Sequence, residues 1–207
     1  MAYSDFTLPQ VLQTFHLTAQ TTLKLFVQVP DAPVSPTLRD SLDKYATLAL
    51  LINTEKARSE WLIAPILGEV WQRCGGQISL YSGIDFNVDP EDGLSGRCDF
   101  LFSRGPQLPY VTAPAVCIVE GKNESIAGGL AQCAAEMVAA QRFNQREGNG
   151  IDTIHGVVTT GDNWKFLRLH GSVLAIDLHE YLLGQVDRIL GILLHIVGPL
   201  PQPGTAA

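Results

Sequence analysis

The Glu-Gly-Lys segment at residues 120–122 places an acid and a base at the end of the most apolar run in the sequence. That run, AVCIVE from Ala115 to Glu120, is short and rich in β-branched residues, which predicts a buried strand. Side chains alternate between faces along a strand, so Glu120 and Lys122 should project to the same side. Such a pair is either a solvated ion pair, which contributes under about 1 kcal/mol, or part of a site.

A second acid, Asp99, lies in RCDFLFS, the predicted strand that precedes this one. If the two strands pair, Asp99 and Glu120 approach each other at one end of the sheet. Two carboxylates at that distance repel unless a cation holds them, and hard oxygen ligands suit Mg²⁺ or Mn²⁺. The carbonyl oxygen of Gly121 could add a ligand. Lys122 could orient or deprotonate a water, or neutralise charge that develops on a phosphate.

Helices must hold these strand ends in place, and apolar spacing predicts two of them between Thr37 and Arg73. The second helix begins near Thr54, with Asn53 or Thr54 as its N-cap. Pro65 predicts a kink or the start of a new helix. A further helix is predicted from Ser125 to Phe143, directly after the lysine of the Glu-Gly-Lys segment.

The remaining segments complete an α/β pattern with a mixed sheet. A strand is possible between Leu17 and Val29, and IHGVVTT and WKFLRL predict a hairpin around residues 161–163. The last elements are a strand, SVLAIDL, and a long apolar helix, HEYLLGQVDRILGILLHIV. This helix is apolar on more than one face, so it is either buried in the same domain or forms the seam of a homodimer.

The order of the polar residues resembles the PD-(D/E)XK nuclease superfamily. The resemblance consists of Glu60 on a helix, Asp99, the Glu-Gly-Lys segment 120–122, and Gln132 on the following helix, and it extends over residues 54–169. The segments SEWLIAPILGEV, VEGKNE, GLAQCAAEMVAAQRFN and VVTTGDNWKFLRL together look like one branch of that superfamily, known largely from bacterial genomes. The residues Gly-Arg-Cys before Asp99 depart from the motif, which has a proline there.

The resemblance implies a restriction-endonuclease-like core, with a central mixed four-stranded sheet flanked by helices. It also implies a divalent metal, Mg²⁺ or Mn²⁺, at the sheet edge and nucleic acid as the partner, DNA in preference to RNA. The implied roles are metal ligation by Asp99 and Glu120, catalysis by Lys122, assistance to the metal or its water by Glu60, and support by Gln132.

Three divisions of the chain are expected. Residues 1–37 form an N-terminal appendage that ends in the proline-rich linker VPDAPVSP, residues 38–198 form a single nuclease-like domain, and residues 199–207 form a flexible tail.

The net charge of −7 argues against a protein that coats nucleic acid by charge alone. A local basic groove is still compatible with this charge. The candidate phosphate contacts are Arg97, Arg104, Lys165 and Arg168.

The expected location is the cytoplasm. The four cysteines have no C-x-x-C spacing and are expected to be free thiols in a reducing compartment. The N-terminal residues lack the pattern of a signal peptide. The longest apolar run, ILGILLHIVGPL, is shorter than the roughly 20 residues of a membrane span, so no membrane partner is expected.

Several chemistries have no signature in the sequence, namely a phosphate-binding loop, G-x-G-x-x-G, a nucleophile elbow and H-E-x-x-H. Three hypotheses remain. The first is a nuclease that hydrolyses phosphodiester bonds of DNA or RNA with a metal-activated water. The second is a catalytically inactive protein of the same fold that binds nucleic acid or a protein partner. The third is a structural or regulatory protein in which the acids are a residual cluster.

Overall fold

A mixed β-sheet runs through the centre of the protein, in a computed structural model that describes residues 1–22 and 24–198. The strands are Thr18–Thr22 (β1), Ile78–Asp85 (β2), Arg97–Arg104 (β3), Ala115–Gly121 (β4), Thr153–Thr159 (β5), Asn163–His170 (β6), Val173–Asp177 (β7) and Tyr181–Leu182 (β8). Their order across the sheet is β1-β7-β6-β5-β4-β3-β2, and β8 pairs with β6 off this path. The strand β4 is antiparallel to β3 and parallel to β5.

Helices cover both faces of this sheet. They are Leu8–Thr14 (α1), Pro36–Ile52 (α2), Glu55–Arg58 (α3), Ala64–Arg73 (α4), Ile126–Arg146 (α5) and Val186–Val197 (α6). A π-helical segment, Ser59–Ile63, joins α3 to α4. Short 3₁₀ turns lie at Tyr3–Asp5, Pro90–Asp92 and Leu183–Gln185.

Two hydrophobic cores, one on each face of the sheet, bury the central strand. One core contains α2, α4 and α6 and is called here the α6 face; the other contains α1 and α5 and is called the α5 face. Every residue of β4 is buried. A strand covered on both faces is expected to read as a continuous apolar run, which accounts for the sequence AVCIV.

The α/β class and the mixed sheet flanked by helices are confirmed, but the sheet has eight strands where four were expected. One added strand, β1, comes from the N-terminal segment 1–37 and pairs in parallel with β7. In the same segment Tyr3, Phe6 and Val11 are buried in the core of the α5 face. The first residues therefore contribute both an edge strand and core packing.

Local signals for element ends agree with the structure. The N-cap is Thr54, whose hydroxyl accepts a hydrogen bond of 3.2 Å from the amide of Ala57. Pro65 lies in the first turn of α4, and β5 and β6 form the antiparallel hairpin expected around residues 161–163. All four cysteines are buried free thiols.

The apolar side chains of α6 are covered within the chain itself. The buried ones are Val186, Ile189, Leu190, Ile192, Leu193, Ile196 and Val197. This helix therefore leaves little apolar surface for the homodimer that its sequence suggested as an alternative. The tail predicted at residues 199–207 lies outside the described residues. Among the described residues, no helix is long and apolar enough to cross a membrane.

Candidate metal and catalytic site

Asp99 and Glu120 meet at one end of the β3–β4 pair. The antiparallel register sets Phe100 opposite Val119, so the residues that flank this pair are brought together. The amide of Gly121 donates a hydrogen bond of 2.8 Å to Oδ2 of Asp99. A Cβ atom at residue 121 would lie 3.3 Å from that oxygen, closer than most such contacts, so glycine allows the carboxylate its close approach to the backbone.

Glu120 and Lys122 lie against each other on the α5 face. The carboxyl group of Glu120 is 1% exposed, and Nζ of Lys122 donates a hydrogen bond to its Oε1. The second oxygen, Oε2, is buried and has no hydrogen-bond partner among the described residues. A buried carboxyl oxygen without a partner is costly, so this atom is a ready acceptor or ligand.

The protein environment changes the protonation behaviour of both groups. Burial raises the pKa of Glu120 to about 8, and the negative charge of Asp99 adds to the effect against the opposing Lys122. Burial acts to lower the pKa of Lys122, but the charge of Glu120 and their hydrogen bond outweigh it, so the lysine pKa is raised. Lys122 is therefore held in its charged form beside Glu120 and Asp99, two acids whose negative charges repel each other.

Gln132 connects this pair to a third acid. Its Oε1 accepts a hydrogen bond of 3.4 Å from Nζ of Lys122, and its Nε2 donates one of 3.1 Å to Oε1 of Glu136. Glu136 is fully buried, and its Oε2 has no partner among the described residues. Burial, followed by the charge of Glu120, raises the pKa of Glu136 well above its ordinary value, which favours the protonated form of this residue.

The helix α5 can bring Gln132 to the lysine because it approaches the sheet closely at Gly129. A Cβ atom at residue 129 would lie 2.6 Å from Cγ1 of Val158 and 3.2 Å from Cγ of Lys122. Any larger residue at this position would have to move the helix or the strands. Gly128, one residue earlier, has nothing within 4 Å of its would-be Cβ.

The helical acid predicted for the site, Glu60, lies in the π-helical segment with an exposed side chain. Its carboxylate pairs with Lys56 at 2.6 Å. The acid whose charge acts on the cluster is Glu55 of α3, because it raises the pKa of both Glu120 and Lys122. Neither Glu136 nor Glu55 was assigned to the site from the sequence, although Glu55 lies about one helical turn before Glu60.

The four candidate phosphate contacts are dispersed over the sheet. Arg97 is exposed at the start of β3, two residues from Asp99. Lys165 is aligned with Glu120 through the register of β4, β5 and β6, but its Nζ is already paired with Glu180 at 3.2 Å. Arg104, the last residue of β3, and Arg168 lie towards the opposite end of the strands.

The donor atoms that converge here fit an oxygen-binding cation. Two carboxyl groups and the backbone of Gly121 meet at one strand end, and Oε2 of Glu120 lacks a partner among the described residues. Mg²⁺ favours one or two carboxylates completed by water. The described residues contain no group of three or more His, Cys, Asp or Glu side chains placed to hold a metal ion. A cation here would thus depend on two acids and on ligands from solvent or substrate.

An open cleft of about 430 Å³ is lined by the residues that follow Lys122 in the sequence. Its wall contains Asn123, Ser125 and Arg58, whose guanidinium donates to the carbonyl of Thr160 and to the carboxylate of Asp162, both at 2.6 Å. The lining also includes the acids Glu124, Asp162 and Glu180. A polyanionic substrate would therefore meet predominantly negative walls.

Comparisons with known proteins do not add a family. No family model matches the chain, and no curated protein matches it either. Functional assignment therefore depends on the arrangement of Asp99, Glu120 and Lys122 and on the resemblance of the motif.

Proposed function

We propose that this protein is a divalent-metal-dependent nuclease that hydrolyses phosphodiester bonds, with DNA as the first substrate to test and RNA as the second. The observation that carries the proposal is the convergence of Asp99, Glu120 and Lys122 at the ends of two paired strands. The strands β2 to β5, with α4 and α5, would correspond to the restriction-endonuclease-like core. The free thiols support a cytoplasmic location.

In this proposal Asp99 and Glu120 hold Mg²⁺ or Mn²⁺ together with the carbonyl oxygen of Gly121. Such an ion, when bound, lowers the pKa of a coordinated water and stabilises charge on phosphate oxygens. A bound cation would also lower the pKa of Glu120, which burial and the nearby negative charge otherwise raise to about 8. The acidic lining of the adjacent cleft likewise makes a phosphate substrate dependent on a cation.

The chain's own residues supply the remaining functions. Lys122 carries a positive charge beside the carboxylates and can neutralise a phosphate or orient a water. Gln132 accepts from Lys122 and donates to Glu136, which fixes the direction of its amide and limits the lysine to one position. Glu60, exposed on the π-helical segment, is close in sequence to Glu55, which acts on the same cluster.

The second candidate is a catalytically inactive protein of the same fold that binds nucleic acid or a protein partner. One observation favours it: Lys122 is engaged with Glu120, and Glu60, the predicted helical acid, is paired with Lys56. A cluster whose charges neutralise one another is compatible with a structural role.

A cleavage assay separates the two candidates. Purified protein is incubated with single- and double-stranded DNA and RNA in the presence of Mn²⁺, Mg²⁺ or EDTA. The nuclease proposal predicts metal-dependent cleavage that is lost in Asp99→Ala and Lys122→Ala. Retained, salt-dependent binding without cleavage would favour the inactive protein. The nuclease proposal fails if no substrate is cut and calorimetry detects no Mn²⁺ binding that depends on Asp99 and Glu120.

A further inference from the structure

Two adjoining cavities, each of about 540 Å³, lie on the α6 face and share the walls formed by His155 and His195. Arg104 lines the first cavity. Arg168 and Lys24 line the second. The two cavities thus bring together five basic side chains from separate parts of the sequence.

The two arginines and the lysine differ from most other cations of the described residues because they have no acidic partner. Among the described residues, Arg104, Arg168 and Lys24 form no ion pair within 4.0 Å. The Nε of Arg104 is moreover buried without a hydrogen-bond partner in the described part of the chain. A buried polar nitrogen is ordinarily paired, because leaving it unpaired carries a desolvation cost. Its position therefore suits an external anion.

The basic groups are close enough to act on one another. His155 on β5 and Arg168 on β6 are direct cross-strand partners. Burial lowers the pKa of His155 to about 4, and the positive charges of Arg168, His195 and Arg104 lower it further in that order of size. His155 is therefore neutral near pH 7, and the positive charges that an anion would neutralise here belong to the arginines.

Acidic side chains are nearly absent from the cavity walls. Of the residues that line the two cavities, only Asp152 is acidic. Its Oδ1 accepts a hydrogen bond of 3.0 Å from the hydroxyl of Thr153 and lies 3.6 Å from Nδ1 of His170. This carboxylate is thus engaged away from the arginines. In a protein of net charge −7, such a basic pocket is a local exception.

The same cavities also offer apolar surface. The ring of Phe26 packs near both histidines, with its centroid 6.0 Å from that of His155 and 6.3 Å from that of His195. Leu194 and Ile196 of α6 form another part of the wall. Pockets of a few hundred Å³ with apolar walls and a few placed charges are typical of small-molecule sites.

We propose that these cavities bind a small phosphate-bearing molecule of about mononucleotide size, with its phosphate between Arg104 and Arg168. Arginine suits this role because its planar fork of donors matches phosphate oxygens. The site is separate from the carboxylate cluster. Val116 lines the cavity at the start of β4 and Glu120 lies near its end, about 13 Å away at roughly 3.3 Å per strand residue. The two sites also occupy opposite faces of the sheet.

Calorimetric titration tests this inference without reference to nuclease activity. The full chain is titrated in EDTA with adenosine 5′-monophosphate, inorganic phosphate, uncharged adenosine and a single-stranded oligonucleotide. We expect the monophosphate to bind, inorganic phosphate to bind more weakly, and adenosine not to bind. Arg104→Gln and Arg168→Gln should each weaken monophosphate binding at least tenfold.

Two control variants make the result specific. Lys44→Gln removes one positive charge from an exposed pair with Asp40, and Lys122→Gln removes the cation of the carboxylate cluster. Both should bind the monophosphate as the unaltered protein does. Arg168 is exposed, so its substitution is informative even if Arg104→Gln does not fold.

Three outcomes would overturn the inference. The first is that neither phosphate compound binds the unaltered protein. The second is that both arginine variants bind the monophosphate as tightly as the unaltered protein does. The third is that Lys122→Gln loses as much affinity as the arginine variants. Binding of the oligonucleotide alone, lost in the arginine variants, would overturn the small-molecule ligand and assign the pocket to a nucleic-acid backbone.

Discussion

The amide of Gly121 donates a hydrogen bond of 2.8 Å to Oδ2 of Asp99, so the backbone of one strand fixes the carboxylate of its neighbour. The contact holds Asp99 where its charge acts on Glu120, whose Oε2 has no partner among the described residues. The separation of the two acids is thereby set by sheet geometry, which is more rigid than a loop.

Asp99→Asn should abolish Mn²⁺ binding and cleavage while leaving the fold intact. The amide oxygen can still accept from Gly121, so stability should fall by only about 1 kcal/mol, the difference between a hydrogen bond to a charged acceptor and one to a neutral acceptor. Calorimetric titration with Mn²⁺ and urea unfolding measure the two effects. Asp85→Asn, an exposed acid at the end of β2, is the matched control and should bind Mn²⁺ normally. Unchanged Mn²⁺ binding in Asp99→Asn would remove this acid from the site.

Two neighbouring glycines of α5 should respond oppositely to alanine. Alanine is favoured over glycine in a helix by up to about 1 kcal/mol, so Gly128→Ala, with open space around it, should stabilise the protein. Gly129→Ala should destabilise it, because the added Cβ meets Val158 at 2.6 Å, and overpacking costs typically about 1–3 kcal/mol. Urea unfolding of both variants measures the difference. Equal stabilisation by the two alanines would mean that α5 does not approach the sheet as closely as described.

The part of the site that sequence reasoning found depends on strand periodicity. The alternation of β4 put Glu120 and Lys122 on one face, and the preceding strand brought Asp99 to the same end. These inferences need only two adjacent strands. The N-cap at Thr54 and the β5–β6 hairpin likewise follow from local chemistry.

The features that were missed depend on long-range pairing or on irregular helix geometry. A strand was predicted between Leu17 and Val29, but β1, with the sequence TAQTT, has no apolar alternation, so its bounds and its parallel pairing with β7 far along the chain were not predicted. The π-helical turn at Ser59–Ile63 adds a residue per turn, which no apolar periodicity reveals. An ordinary helix was assumed there, and Glu60 was expected to reach the cluster, whereas the charge that acts on it comes from Glu55.

Lys122→Met should destabilise the protein far more than Lys56→Met. Both lysines donate to a glutamate, but Glu120 is 1% exposed whereas Glu60 is 50% exposed. Leaving a buried group without its partner costs about 1–3 kcal/mol, whereas an exposed helical pair contributes about 0.3–0.5 kcal/mol.

A double-mutant cycle makes this comparison quantitative. Lys122→Met combined with Glu120→Gln should lose less stability than the sum of the single changes, with a coupling of about 0.5–3 kcal/mol for groups in contact. Urea unfolding of the four proteins gives the coupling. A value near zero would show that the Lys122–Glu120 contact does not contribute to stability.

Glu136→Gln should change the pH dependence of stability in a defined direction. The pKa of Glu136 is raised well above its ordinary value of 4.5, by burial first and then by the charge of Glu120. The native state therefore holds a proton that the unfolded chain releases above that ordinary value. The contribution to stability is complete below the ordinary pKa and is lost as pH rises towards the raised one, with a slope of at most about 1.4 kcal/mol per pH unit.

Glutamine retains the shape and the acceptor for Nε2 of Gln132 but does not ionise. The stability of Glu136→Gln relative to the unaltered protein should consequently rise between pH 5 and pH 8, as measured by urea unfolding at each pH. The control is Glu147→Gln, at an exposed acid just beyond the end of α5, which should follow the unaltered protein. If the profile of Glu136→Gln ran parallel to that of the unaltered protein, Glu136 would not hold a proton in the native state. The polar chain from Lys122 through Gln132 would then end on a charged acid.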